Sequence, residues 1–223
     1  MKYKTCVSIA EGTPSKIKQV LKIALKKSDF AEIRFDFLNA DQVPETIELI
    51  KKDLKRTVCT LRPKSEGGEF IGSEKERISI LKLIAEYSPY LLDVELDTLR
   101  KNPSLARYLK NTNTKLLVSW HDFKKTPSTA ELKNKMDQMS RFSSNIKIVS
   151  TAKSTDDSTR MLELYGKKGK CNLISFAMGD LGRISRILCL YLGSPYTYVS
   201  LGKAIAPGQF SVDEIKKIAN LKK

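Results

Sequence analysis

Two rhythms of apolar and polar positions alternate along the chain. Short, nearly continuous apolar runs rich in Val, Ile and Leu fall at residues 5–10, 30–38, 56–62, 91–97, 115–121, 145–152, 171–178 and 196–201. Between them lie stretches with helical spacing at 16–27, 43–54, 73–86, 104–110, 128–140, 155–165, 181–192 and 212–221. The first helix is announced by Thr13-Pro14-Ser15, with Pro at an early position. Continuous rather than alternating apolar runs are the mark of strands covered on both faces, as in a parallel sheet. Eight strand–helix units fit the 223 residues at about 28 residues each, the requirement of an α/β fold of the (β/α)8 barrel type. An open, doubly wound sheet uses the same units, but no G-x-G-x-x-G follows the first strand. With no linker or low-complexity stretch, residues 1–223 are expected to form one domain.

A barrel of this kind carries its chemistry at the C-terminal ends of its strands. Charges inside apolar strands are costly unless paired or functional. In the second run Glu32, Arg34 and Asp36 alternate with apolar residues and share one face, which predicts an inward ladder held by ion pairing. Solvated charges on a half-exposed antiparallel strand are the alternative. Arg62 closes the third run and precedes Glu66 and a Gly67-Gly68 loop, read as mobile. His121, the single histidine, ends the fifth run, where an acid–base role competes with a packed histidine of no consequence. Lys147 has apolar neighbours within the sixth run. Burial favours the neutral amine, and a neutral lysine attacks carbonyls to form a Schiff base. A lysine pointing outward and snorkelling between helices fits the same pattern. After the seventh run, Gly179, Gly182, Ser185 and Arg186 resemble an anion-binding helix start. After the eighth, Pro207-Gly208 suggests a lid loop that carries Gln209. Together these strand-end residues suggest imine chemistry on an anionic carbonyl compound.

Composition narrows the setting. At 41% hydrophobic and 29% charged residues, with mean hydropathy −0.31, the chain is expected to be globular rather than disordered. No window is apolar for long enough to span a membrane, and the first apolar run is too short for a signal peptide, so a cytoplasmic protein is expected. Cys6, Cys59, Cys171 and Cys189 form no C-x-x-C pair and read as buried free thiols. One histidine cannot build a His-rich zinc site, so no metal is expected. The net charge of +15 raises the possibility of nucleic-acid binding, which would be strongly salt-dependent. Its source is 30 Lys against 10 Arg, however, in scattered pairs such as Lys26-Lys27, Lys124-Lys125 and Lys216-Lys217, without interleaved aromatics. A solvated surface that steers a small anion is the reading adopted, with no nucleic acid and no membrane as partners.

Six motifs in order carry a resemblance that spans the chain. They are Glu32-x-Arg34-x-Asp36, Arg62-x-x-x-Glu66-Gly67-Gly68, Ser119-x-His121-Asp122-Phe123 with Thr126-Pro127, Lys147, Gly182-x-x-Ser185-Arg186 and Ala206-Pro207-Gly208-Gln209. In this order they resemble the type I 3-dehydroquinate dehydratases, the Schiff-base-forming lyases of the shikimate pathway. The resemblance implies a (β/α)8 barrel, usually a homodimer, that converts 3-dehydroquinate to 3-dehydroshikimate in aromatic amino acid biosynthesis. It implies that Lys147 forms the imine and that His121 is general base and then general acid, with Glu66 orienting His121. Arg186 would hold the substrate carboxylate, with Gln209 closing over the ligand. Glu32, Arg34 and Arg62 would meet the ring hydroxyls, and Asp36 would support Arg34 or Arg62. No metal or organic cofactor is implied, because the covalent imine on Lys147 is the electron sink. One departure is Ile205, where the family often has Ser; one lost lid hydrogen bond is worth roughly 1 kcal/mol. A class I aldolase would also use a lysine of the sixth strand, with Gly179 and Gly182 as a phosphate site. The pairing of His121 with Glu66 and the Ala206-Pro207-Gly208-Gln209 lid argue against it.

Overall fold

The computed structural model describes residues 3–218. Met1, Lys2 and residues 219–223 lie outside them, and with them the end of the helix expected at 212–221. Among the described residues the chain runs β1 (Thr5–Ile9), α1 (Pro14–Lys27), β2 (Phe30–Arg34), α2 (Val43–Ile50), β3 (Thr57–Thr60), α3 (Glu74–Glu86), β4 (Leu91–Glu95), α4 (Leu96–Lys101) and α5 (Pro103–Lys110). It continues β5 (Leu116–Asp122), α6 (Thr129–Ser140), β6 (Asn145–Thr151), α7 (Thr155–Glu163), β7 (Asn172–Met178), α8 (Ser185–Tyr191), β8 (Thr197–Val199) and α9 (Val212–Ile218). The sheet has eight strands, and the chain packs as two units whose boundaries fall inside β1 and β5.

In the unit Ser8–Leu117 the strands follow chain order through β2, β3 and β4, with parallel registers Ala31↔Thr57 and Val58↔Leu91. Ile33, Val58, Cys59, Leu92 and Val94 are buried in the strands, while Ile17, Leu21, Ile47, Leu81 and Ile84 cover them from the helices. This unit also buries charge. The Arg62 guanidinium donates to Asp93 Oδ2 at 2.6 Å and to Glu95 Oε1 at 2.7 Å. Arg77, from the inner face of α3, donates to Glu95 Oε2 at 3.0 Å, to Thr98 Oγ1 at 2.6 Å and to the Leu61 carbonyl at 3.0 Å. Two buried arginines thus share a buried glutamate.

The other unit holds the end of β5 with β6 and β7, and separately β8 beside β1. Parallel registers here are Lys147↔Ile174, Val149↔Phe176 and Thr5↔Thr197. Two of its helices, α6 and α7, begin on sequence-encoded caps: Ser128 Oγ accepts from Glu131 N at 3.3 Å, and Ser154 Oγ from Asp157 N at 3.3 Å.

Several sequence expectations are corrected. The second strand stops at Arg34 instead of running to residue 38, and Phe35–Phe37 forms a turn of 3-10 helix. The reason is local: turning there brings the Asp36 carboxylate around to meet Arg34. The fourth strand stops at Glu95, and α4 follows because Leu96 and Leu99, three residues apart, are both buried. The eighth helix is Ser185–Tyr191 rather than 181–192, since Gly182 N and Arg183 N bond back to Gly179 O and Asp180 O as turns. Cys171 lies one residue before β7 and is only half-buried, unlike Cys6, Cys59 and Cys189.

Removing Arg77 leaves Glu95 with a buried charge that is only partly answered, whereas Glu74 pairs with Arg77 from an exposed position. Arg77→Met is therefore expected to cost about 3 kcal/mol in urea unfolding, and Glu74→Gln less than about 1 kcal/mol. Equal effects of the two substitutions would refute this account of the network.

Candidate active site

In the unit Ser8–Leu117, the predicted site residues gather at the ends of β2 and β3. Glu32 is buried and accepts from Thr60 Oγ1 at 2.9 Å. Arg34 meets Asp36 in a two-pronged pair, Nε to Oδ1 at 2.8 Å and Nη2 to Oδ2 at 2.6 Å. Burial pulls the proton affinity of Arg34 down, but the Asp36 hydrogen bonds and charge outweigh it and the net shift is upward. Asp36 Oδ2 also accepts from the Glu69 amide at 3.0 Å, so the same carboxylate fastens the loop after β3. Arg62 is held well above the ordinary guanidinium range, since Asp93, Glu95 and Glu66 more than offset its burial.

Glu66 occupies a short 3-10 turn, Lys64–Glu66, that ends on Gly67 with φ 74°. A side chain on Gly68 would lie 1.9 Å from the Arg62 carbonyl oxygen, so only glycine allows the loop to fold back there. The amides of Glu66 and Gly68 both donate to Pro63 O at 3.0 Å. The backbone bonds of this loop are thus made within the loop itself. Burial raises the Glu66 carboxyl to about 8; Arg62 opposes the shift, while Glu95, Asp93 and Asp97 reinforce it. The carboxylates Asp93 and Glu95 escaped the sequence reading. Their signal was the same alternation, Asp93-x-Glu95-x-Asp97, that had singled out the second strand.

The other unit contains His121, Lys147, Arg186 and Gln209. His121 sits near the end of β5, its ring stacked on Phe123 with centroids 6.1 Å apart. The loop beyond it is tied to β6: Thr126 Oγ1 lies 2.7 Å from Ser150 Oγ, and Thr151 Oγ1 donates to Asp122 O at 3.1 Å. Lys147 is 6% exposed, and its Nζ lies 4.2 Å from the centroid of the Tyr198 ring on β8. The outward-snorkelling alternative is thereby excluded. Lys147 shares a face with Val149, and Val149 pairs with Phe176, so Lys147 and Phe176 share a face as well.

Arg186 is 1% exposed. Its Nη2 donates to Pro207 O at 3.0 Å, its guanidinium carbon lies 4.3 Å over the Phe176 ring, and its Nε is buried without a hydrogen-bond partner. Among the described residues no carboxylate pairs with Arg186. Burial lowers its proton affinity to about 10, with Cys189 opposing the shift, and it remains charged at neutral pH. Ser185 does not serve an anion as expected; its hydroxyl donates to Gly182 O at 2.6 Å and accepts from Ala177 N at 2.9 Å, tying the turn to β7. Gln209 is turned into its own loop, where Oε1 accepts from the amides of Ile205 at 3.0 Å and Ala206 at 3.4 Å. A buried lysine next to an aromatic face, with a buried arginine that no described carboxylate answers, can form an imine with a ketone that also carries an anionic group.

The family described as type I 3-dehydroquinase matches residues 5–223. A 3-dehydroquinate dehydratase of Dehalococcoides mccartyi is 37% identical over 203 residues, spanning 87% of this chain and 88% of that protein. One from Methanococcus maripaludis is 36% identical over 220 residues, spanning 97% and 98%. The crystal structure of 3-dehydroquinate dehydratase from Geobacillus kaustophilus matches with a TM-score of 0.90 at 24% identity, covering 99% of this chain and 91% of that one. The type I enzyme from Clostridium difficile, solved with covalently modified comenic acid, gives 0.87 at 27% identity, covering 99% and 92%. With eight parallel strands alternating with helices, the fold class is the (β/α)8 barrel.

The raised Glu66 carboxyl makes a prediction about stability. Above its unfolded pKa of about 4.3 and up to about 8, the folded chain holds a proton at Glu66 that the unfolded chain has released. The stability contributed by Glu66 is therefore full at acid pH and is lost as pH rises through that window. Urea unfolding of wild type and Glu66→Gln at pH 5 and pH 8 reads the difference. Wild type should lose stability relative to the variant at the higher pH; a constant difference would overturn the assignment.

Proposed function

The chain belongs to the type I 3-dehydroquinase family, and we propose that Lys147 is its imine-forming nucleophile. The reaction is the dehydration of 3-dehydroquinate to 3-dehydroshikimate in the shikimate pathway, which makes the protein a hydro-lyase. The observation that carries the assignment to residues is Lys147 buried on an aromatic face in the same unit as Arg186, a buried cation that no carboxylate among the described residues neutralises.

Neutral Lys147 Nζ adds to the C3 ketone, and the carbinolamine loses the former ketone oxygen as water to give an iminium. The iminium draws electrons from C2, so the C2 proton becomes acidic and His121 removes it. The electron pair left at C2 moves into an enamine and then expels the C1 hydroxyl, which His121 protonates as it leaves from the same face. Water then adds back at C3 and releases Lys147. The water lost at imine formation is regained at hydrolysis, so one water is eliminated overall. Glu66 serves His121 as its orienting carboxyl. Arg186 takes the substrate carboxylate through its unsatisfied Nε edge, and Gln209 offers its amide NH2 from the lid. Glu32, Arg34 and Arg62 meet the ring hydroxyls, with Asp36 and Asp93 holding the two arginines. The imine supplies the electron sink, so the reading needs no metal or organic cofactor.

The same reading places both units in one catalytic domain and the protein in the cytoplasm, as a homodimer. Among the described residues no helix is long and apolar enough to cross a membrane. The exposed side chains Leu181, Ile184, Leu188, Tyr191 and Leu192 recur at helical spacing along α8 and its approach, a stripe that supports self-association.

Four measurements test the proposal. Adding 3-dehydroquinate should raise the ultraviolet absorbance of the conjugated enone product, and borohydride with substrate should place a stable adduct on Lys147. An adduct on any other lysine would refute the nucleophile. His121→Ala should still be labelled at Lys147 while turnover drops by about 10²–10⁴-fold; near-normal turnover would show a different base. Light scattering after gel filtration should give the mass of a dimer, and a monomer at every concentration would remove the homodimer.

A further inference from the structure

Two aromatic rings connect the two nitrogen-bearing side chains Lys147 and Arg186. The Tyr198 ring lies 4.2 Å from Lys147 Nζ, and the Phe176 ring lies 4.3 Å from the Arg186 guanidinium carbon. The rings touch each other edge to face, with centroids 6.5 Å apart and planes at 60°. Tyr196 backs Tyr198 at 5.5 Å and 75°. Phe176, Tyr198 and Tyr196 are all at most 4% exposed, so this packing has little room to shift. We propose that Phe176 and Tyr198 act together as a positioning pair, Tyr198 seating the Lys147 nitrogen as a cation and Phe176 seating Arg186, with their mutual contact setting the spacing between imine and carboxylate. The proposal rests on the imine reading above.

Chemistry explains why rings suit these seats. The Lys147 nitrogen must carry a positive charge as the iminium, yet it must be neutral when it attacks. A ring face attracts a cation through its quadrupole and is worth more when water is excluded. It accepts no proton and carries no net negative charge, so it neither quenches the iminium nor repels an anionic substrate. When the C2 proton leaves, the nitrogen becomes a neutral enamine and the attraction disappears. The ring therefore favours the iminium in particular. Phe176 does the corresponding task for Arg186, fixing the guanidinium plane while leaving its N–H edge to a carboxylate.

The roles of the two rings separate in kinetics. Tyr198→Leu should lower the amount of borohydride-trapped adduct at saturating substrate by about tenfold, and Tyr198→Phe should restore it to within about twofold. Phe176→Leu should instead raise KM by about tenfold while trapping at saturation stays within about twofold of wild type. A Phe carrying one, two and three ring fluorines at position 198 keeps the shape while draining the quadrupole, and should lower trapping stepwise. That series covers the case in which Tyr198→Leu does not fold. Unchanged trapping through the fluorinated series, or equal KM and trapping losses in both Leu variants, would overturn the proposal. Failure of wild type to be labelled on Lys147 would instead remove the imine reading itself.

Discussion

A positive charge taken out of water has to be met by something, and the choice of partner differs between the two units. In the unit Ser8–Leu117, Arg62 and Arg77 are answered by carboxylates, with Glu95 shared between them. Those pairs are short and buried, and they hold α3 and α4 against the ends of β3 and β4. In the other unit Lys147 and Arg186 lie on aromatic faces, and Arg186 has no carboxylate at all among the described residues. A fully neutralised arginine has little left to offer an anion. An arginine held by a ring and one backbone carbonyl keeps both its charge and part of its hydrogen-bonding edge.

That contrast separates charge answered by carboxylates from charge that keeps part of its hydrogen-bonding edge open. The Arg34–Asp36 and Arg62–Asp93–Glu95 groups are satisfied internally and give the strand ends a fixed geometry. Glu66 stands beside this cluster on a turn pinned by Gly68, and the surrounding carboxylates together with burial make it hold a proton near neutrality. Buried polar groups of this kind are costly one by one and are stable only as a satisfied set. The +15 net charge belongs to another level, since most of it is lysine on helices and loops, where it acts through the long-range field.

The sequence made much of the site legible for a physical reason. A charged residue within an apolar strand run has no cheap structural excuse, so Glu32, Arg34, Lys147 and His121 stood out at once. Asp93 and Glu95 obey the same rule, but the apolar run they end continues into Leu96 and hides the start of α4. Ser185 shows the opposite error. Its position among glycines resembled an anion site, yet its hydroxyl is consumed by local backbone groups, which no spacing argument detects.

By itself the sequence determined the order of strand–helix units, their covered faces and which polar residues fall at strand ends. These follow from periodicity and local backbone chemistry, both written along the chain. Only the tertiary structure decided the direction of Lys147, the ring beneath it and, among the described residues, the lack of a carboxylate for Arg186. Each of these depends on residues distant in sequence meeting in a space with no water, where a partner is selected by packing and not by spacing.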